Sequence, residues 1–342
     1  MDTMMQKTDA QEASPSAEIL VADTLQKYYG KRQALRGLSF SLKAGRVMGF
    51  LGPNGAGKTT AIRILTTILD ADSGYFFVEG IGSEHPEKIR RRIGVLPESL
   101  GFPKQITALD FLIYFSQLYG WSPQDAKRTA IRLLEEVGLQ QRAKSLVGTY
   151  SRGMRQRLGI ARALINDPAV VFLDEPTLGL DPRGQQELLA LVRRIAQERN
   201  AGVILCSHLL TEIEGVCDDV VILNLGQIVA RGSVADVIGR VQRNIILKDS
   251  LRVQVPAAAV LDAKQILEAM SNVVKVTSVD ETSGWLQLEP IPSGGGNSAS
   301  AHQINNKILS TLIRAKISIL NFSTGGGRLQ DVFLHLTEEA IE

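Results

Sequence analysis

The chain has 342 residues, a length that favours roughly two domains. Its net charge of +2, from 38 basic and 36 acidic residues, offers no basic surface that argues for nucleic acid or another acidic partner. Two cysteines, Cys206 and Cys217, make a disulfide framework unlike this chain and suit a reducing cytosol, and no apolar run approaches the ~18 residues of a membrane span. A membrane role would therefore have to come through a partner. In chain order, residues 1–17 read as a disordered leader: they are polar, contain Pro15, and lack the basic start and apolar stretch of a signal peptide. Ile19 to Val21 and Leu38 to Leu42 read as short strands. Val47 to Leu51 is a continuous apolar run, as expected of a strand buried on both faces, and it stops in a Gly-rich loop followed by a helix over Thr59 to Leu69.

A mainly helical section covers about 99–165, with Phe102, Phe111, Tyr114, Phe115 and Tyr119 among its apolar residues. Two further apolar runs, Val170 to Leu173 and Val203 to Cys206, alternate with helical stretches such as Gln185 to Arg199. That alternation predicts an α/β unit with a mostly parallel sheet covered by helices. Past about 240 the pattern changes. Leu251, Val253 and Val255 alternate like a strand, and a helix is expected around Ala258 to Met270. Val273 to Val279 and Trp285 to Leu288 form a strand pair across the Asp280-to-Gly284 turn. After a Gly/Ser loop at Ser293 to Ser300 come a helix over Gln303 to Arg314, a strand over Ile317 to Phe322 and a last amphipathic helix over Leu329 to Leu336. The order βαββαβ predicts a small α+β ferredoxin-like domain at 241–342, after a first domain at 18–240.

Gly52-Pro53-Asn54-Gly55-Ala56-Gly57-Lys58-Thr59, followed by Thr60, fits the phosphate-loop pattern in full. Glycines let successive N–H groups converge on phosphate oxygens, and the helix N-terminus adds partial positive charge. Lys58 is the expected ligand of the β- and γ-phosphates of ATP and Thr59 of Mg²⁺. Val170 to Leu173 ends in Asp174-Glu175. Asp174 is placed to hold Mg²⁺, and Glu175 to polarise an attacking water.

On these residues, and on those that follow, the chain resembles the nucleotide-binding subunits of ABC transporters over roughly 18–240. The resemblance implies a phosphate-loop cassette with an added antiparallel β subdomain and a helical subdomain. Tyr150-Ser151-Arg152-Gly153-Met154 stands where that family carries its signature sequence, so Ser151 and Gly153 inherit the grip on the γ-phosphate bound by the opposite subunit. Leu180-Asp181-Pro182 takes the place of the D-loop, which assigns Asp181 to the nucleotide site. Ser207-His208 takes the place of the switch histidine, and Tyr29 that of the ring stacked on adenine.

Two departures, Arg152 with Met154 in the signature and Glu98 where a metal- and water-contacting glutamine is usual, resemble the branch that works with separate ABC-2-type export permeases. Glu98 keeps an oxygen for Mg²⁺ or water and adds a negative charge there. The resemblance implies a homodimer or paralogue heterodimer at the cytoplasmic face of the membrane, docked on a permease. Two rivals fit less well. A translation or repair ATPase of this family carries two cassettes or a long coiled coil, and a non-hydrolysing cassette has lost its Lys, Glu or His, whereas Lys58, Glu175 and His208 are all present.

Overall fold

The computed structural model describes residues 18–99, 101–207, 209–244, 251–270, 273–280, 282–291, 298–324, 329 and 333. The chain opens on a long antiparallel hairpin, β1 (Glu18–Tyr29) with β2 (Arg32–Lys43). Both strands are longer than the short apolar segments predict. Only alternate residues face the core (Leu20, Ala22, Leu35, Leu38, Phe40 and Leu42 are buried), so the partner face carries polar residues and hides the strand from a search for apolar runs. The register shifts between Ala22 and Leu25, where Thr24 adopts a positive φ of 50°, a bulge that lets β1 turn and continue.

The next strand, β3 (Val47–Leu51), is buried at every residue. Helix α1 (Lys58–Leu65) follows and ends four residues before the expected Leu69, because Thr67 at φ 60° breaks the helical path. Strands β4 (Ser73–Val78) and β5 (Ile81–Gly82), which sequence patterning did not single out, return to the hairpin and complete a sheet of order β2-β1-β4-β5. A short helix α2 (Pro86–Arg90) leads to β6 (Ile93–Leu96).

The helical section holds α3 (Ala108–Leu118), α4 (Pro123–Glu136) and α5 (Arg152–Ala163). Each has a hydroxyl N-cap: Thr107 accepts from Asp110 N, Ser122 from Asp125 N and Ser151 from Met154 N. Strand and helix then alternate through β7 (Val170–Asp174), α6 (Pro182–Glu198), β8 (Gly202–Cys206), α7 (Leu210–Val216), β9 (Asp219–Asn224) and β10 (Gln227–Ser233). The six-stranded sheet has the order β10-β9-β3-β8-β7-β6. Its pairs β3 with β8, β3 with β9, β7 with β8 and β6 with β7 are parallel, so their C-terminal ends open on one side. Phe40 of the hairpin meets Phe50 of β3 edge-on, with ring centroids 5.0 Å apart, and carries one core across both sheets. Each such fully buried large side chain contributes about 1.5–3 kcal/mol.

Contacts divide the chain into one unit through Arg231 and a second from Gly232, where the sequence pattern places the boundary at 240/241. The second unit contains α8 (Val234–Asn244), β11 (Leu251–Gln254), α9 (Val260–Glu268), β12 (Val274–Asp280), β13 (Trp285–Pro290), α10 (Ser298–Arg314) and β14 (Asn321–Thr324). From β11 onward the order is βαββαβ, and the sheet reads β12-β13-β11-β14 with antiparallel neighbours throughout. That is the strand order of a split βαβ sandwich. Leu251, Val253, Leu286 and Leu288 of the sheet pack with Leu267, Ile308 and Leu312 of the helices. The last strand starts at Asn321 rather than Ile317; Ile317 is buried ahead of it in the connection, so its apolar character reports burial and not a strand. The leader and most of the expected helix over Leu329 to Leu336 lie outside the described residues, as does the Gly/Ser loop up to residue 297.

Candidate active site

The loop after β3 is shaped by backbone conformations that only glycine takes easily. Gly57 has φ 107°, and a Cβ there would lie 2.8 Å from the carbonyl oxygen of Ala34; Gly52 has φ 154° with a Cβ position 2.4 Å from that of Leu223. Gly57 is the N-cap of α1 and offers no side chain to the helix, which leaves its first-turn N–H groups for a ligand. The Lys58 ammonium folds back and donates to the carbonyl oxygens of Gly52 and Pro53, the latter at 3.2 Å.

The carboxylates arrive from the neighbouring strand ends. Cys206, the last residue of β8, is level with Phe50 of β3 on one side and with Asp174 of β7 on the other. One strand therefore separates the glycine loop from the carboxylate pair. Burial pushes the Asp174 carboxyl above its ordinary range, the negative charges of Glu175 and Glu98 push it further, and Lys58 and Arg63 oppose them. Glu175 has a positive φ of 48°, and its N–H donates to the carbonyl oxygen of Cys206 at 3.0 Å. Glu98 follows β6 at the next strand end and is exposed. Burial raises the Cys206 thiol well above its ordinary value, so it is no nucleophile here.

These groups share one cleft of about 650 Å³. From the expected site it gathers Tyr29, Pro53, Asn54, Gly55, Gly57, Lys58, Thr59, Thr60, Glu98, Asp174 and Glu175. Gly52 and Ala56 lie buried in the loop and do not line it. Ser151 and Gly153 stand apart, at the start of α5, where Ser151 Oγ accepts from Met154 N at 3.3 Å. Asp181 is the N-cap residue of α6, also outside the cleft lining. His208 lies outside the described residues. Sequence reading missed Arg32, Ala34 and Leu178, which also line the cleft. Arg32 had one available signal, its place three residues after Tyr29 at the hairpin turn, but a lone basic residue in a turn carries no phosphate pattern.

Arg152 places a cation at the N-terminus of α5, where the helix dipole disfavours it. Its guanidinium lies against Gly179, whose φ is 71° and whose Cβ position is 2.5 Å from Arg152 Nη1. The signature segment thus touches the loop that runs from Glu175 to Asp181.

A parallel sheet that presents a glycine loop and an Asp-Glu pair on strand ends flanking a common neighbour defines a phosphate-loop nucleotide hydrolase. The family described as ABC transporter matches residues 35–178. The linearmycin resistance ATP-binding protein LnrL of Bacillus subtilis is 32% identical over 94% of this chain and 99% of its own length. The daunorubicin/doxorubicin resistance ATP-binding protein DrrA of Streptomyces peucetius is 32% identical over 92% and 90%, and the bacitracin transport ATP-binding protein BcrA of Bacillus licheniformis is 42% identical over 61% and 68%. A solved ATP-binding subunit of an ABC transporter superposes with a TM-score of 0.58 at 29% identity, covering 66% of this chain and 93% of the other. The ADP conformation of another ABC cassette gives 0.58 at 26%, covering 64% and 92%. The chain belongs to the ATP-binding subunits of ABC transporters, and it is an ATPase of that family. No helix among the described residues is long and apolar enough to cross a membrane.

Proposed function

We propose that this subunit hydrolyses Mg-ATP in a composite site made by two cassettes and so drives a separate ABC-2-type export permease at the cytoplasmic face of the membrane. One observation carries the composite site: Lys58, Glu98, Asp174 and Glu175 share a cleft whose lining does not include Ser151 and Gly153 of the same chain. In this reading Tyr29 stacks on adenine, and Gly52 to Gly57 with Lys58 and Thr60 cradle the phosphates. Ser151, Gly153 and Asp181 serve the nucleotide held by a second copy or a paralogue. His208 contacts the γ-phosphate.

The residues present fit a divalent cation. Asp174 is half-buried beside two other carboxylates, a repulsion that a cation relieves. No group of three His, Cys, Asp or Glu side chains among the described residues gathers to hold a metal unaided. Mg²⁺ usually takes one or two protein ligands and fills the rest with phosphate and water, which suits Thr59, Asp174 and Glu98. Bound there, Mg²⁺ neutralises charge on the β- and γ-phosphates. Glu175 accepts a proton from the attacking water and Lys58 holds the γ-phosphate in line. The names of LnrL, BcrA and DrrA, which record antibiotic resistance or transport, support export as the direction. Cargo contacts belong to the permease.

The test is Glu175→Gln. It is expected to bind ATP, to hydrolyse it about 10²–10⁴-fold more slowly, and to elute as an ATP-bound dimer in sizing chromatography with Mg-ATP. A strictly monomeric protein whose wild-type turnover stays linear in protein concentration removes the composite site.

A further inference from the structure

Behind the carboxylate pair lies a buried polar knot that phosphate binding does not call for. Glu212, in the first turn of α7, is only 5% exposed. Its Oε2 accepts hydrogen bonds from Thr177 Oγ1 at 2.8 Å and from Ser207 Oγ at 2.7 Å, and Ser207 Oγ in turn accepts from Leu209 N at 3.0 Å. Thr177 and Ser207 are both buried. Glu212 Oε1 is buried too and has no hydrogen-bond partner among the described residues. Taking a carboxylate out of water is costly unless its oxygens are well satisfied, and an apolar side chain of similar size packs at lower cost. Packing alone therefore does not account for an acid at this position.

The two hydroxyls identify what the acid joins. Thr177 stands two residues beyond Glu175 on the segment that leaves β7. Ser207 is the first residue beyond β8, next to Cys206, whose carbonyl oxygen already receives the Glu175 N–H. Glu175 itself sits at φ 48°, a conformation that a non-glycine residue keeps only where its surroundings over-determine it. The backbone bond to Cys206 fixes one side of this residue, and the Thr177–Glu212–Ser207 bridge fixes the other.

We propose that Glu212 is a positioning residue for hydrolysis: it clamps the segment after β7 to the segment after β8 and so fixes the aim of the Glu175 carboxylate. The proposal rests on the reading of Glu175 as the group that polarises the water. Glu212 touches no nucleotide in this scheme. Its loss acts on the chemical step and not on ATP affinity, because the glycine loop and Lys58 are held by other contacts.

The experiment compares Glu212→Ala, Glu212→Gln, Thr177→Val and Glu175→Gln in the full chain, measuring kcat, KM, the equilibrium Kd for ATP and Tm. Glu212→Ala is expected to lower kcat about 10–100-fold, the scale of a small misplacement of a reacting group, with Kd for ATP unchanged. Glu212→Gln should restore most of kcat, since its amide oxygen can take the place of Oε2 and accept both hydroxyls. Thr177→Val removes one donor without removing the acid and should lower kcat by less; it carries the test if Glu212→Ala fails to fold. A purely structural Glu212 predicts instead that Tm and ATP affinity fall together with kcat, and that result overturns the proposal. Wild-type kcat in Glu212→Ala, or in Thr177→Val if the former does not fold, overturns it as well, provided Glu175→Gln is inactive. Wild-type kcat in Glu175→Gln removes the underlying reading of Glu175, a separate failure.

Discussion

At the scale of the residue, the site holds its charges at a cost to the resting protein. Asp174 is half-buried, and burial, Glu175 and Glu98 together raise its carboxyl above the ordinary range. A raised folded-state value for an acid means that the ionised form is disfavoured in the folded chain. Stability from this group is therefore greatest at low pH and is lost as pH rises through the folded value, where the unfolded chain releases its proton more easily. Asp174→Asn is expected to raise the Tm of the nucleotide-free protein at neutral pH by about 2–4 °C for each kcal/mol of relieved repulsion. The same variant should lose Mg-dependent hydrolysis. The gain in Tm should shrink as pH falls from neutral through the raised Asp174 value and vanish in the ordinary carboxylate range, measured by thermal unfolding across pH. An unchanged or lower Tm at pH 7 would show that Lys58 and Arg63 already compensate the carboxyl.

At the scale of the element, α3 sorts the aromatic residues of the helical section into two groups that sequence could not separate. Phe102, Phe111 and Phe115 form a chain of ring contacts, with centroids 5.0 Å and 4.8 Å apart, and Phe111 is buried. Tyr114, whose ring also meets Phe115 edge-on at 5.5 Å, and Tyr119 are 54% and 48% exposed, and Leu118 between them in sequence is 63% exposed. A partner helix needs one or two accessible apolar anchors. Under the proposed coupling to a permease, Tyr114→Ala or Tyr119→Ala should reduce permease-stimulated ATPase while basal hydrolysis stays within about twofold, as surface substitutions usually cost little. Phe111→Ala is the contrasting control, expected to destabilise the fold by about 3–5 kcal/mol. Full stimulation in both tyrosine variants would place docking elsewhere.

At the scale of the whole molecule, every residue that lines the cleft precedes Arg231, and the second unit has its own core. The second unit therefore has no assigned part in ATP chemistry. We infer that its apolar surface packs chiefly within the unit itself, with bracing of the cassette dimer as a secondary role. A chain ending after Ser233 keeps β10 in the six-stranded sheet. It is expected to bind ATP as the full chain does, read by titration with a fluorescent nucleotide, and weaker dimerisation would favour bracing. A truncated protein folded by circular dichroism but unable to bind ATP would tie the second unit to the site.

The sequence by itself determined the strands buried on both faces and the residues at their ends. A strand such as Val47–Leu51 must be apolar throughout, and a loop that approaches phosphate must be rich in glycine, so both requirements are written locally. The βαββαβ order of the second unit was legible for the same reason, since alternation and turns are neighbour effects along the chain. The tertiary structure alone decided which strand ends meet. It put β8 between β3 and β7, and so set Lys58 across from Asp174. It also extended the first hairpin far enough to bring Arg32 to the cleft, and closed Thr177, Ser207 and Glu212 on one another. Local pattern is a sum over chain neighbours, whereas the meeting of one hydroxyl with one buried carboxylate depends on the packing of segments distant in sequence, which no local pattern encodes.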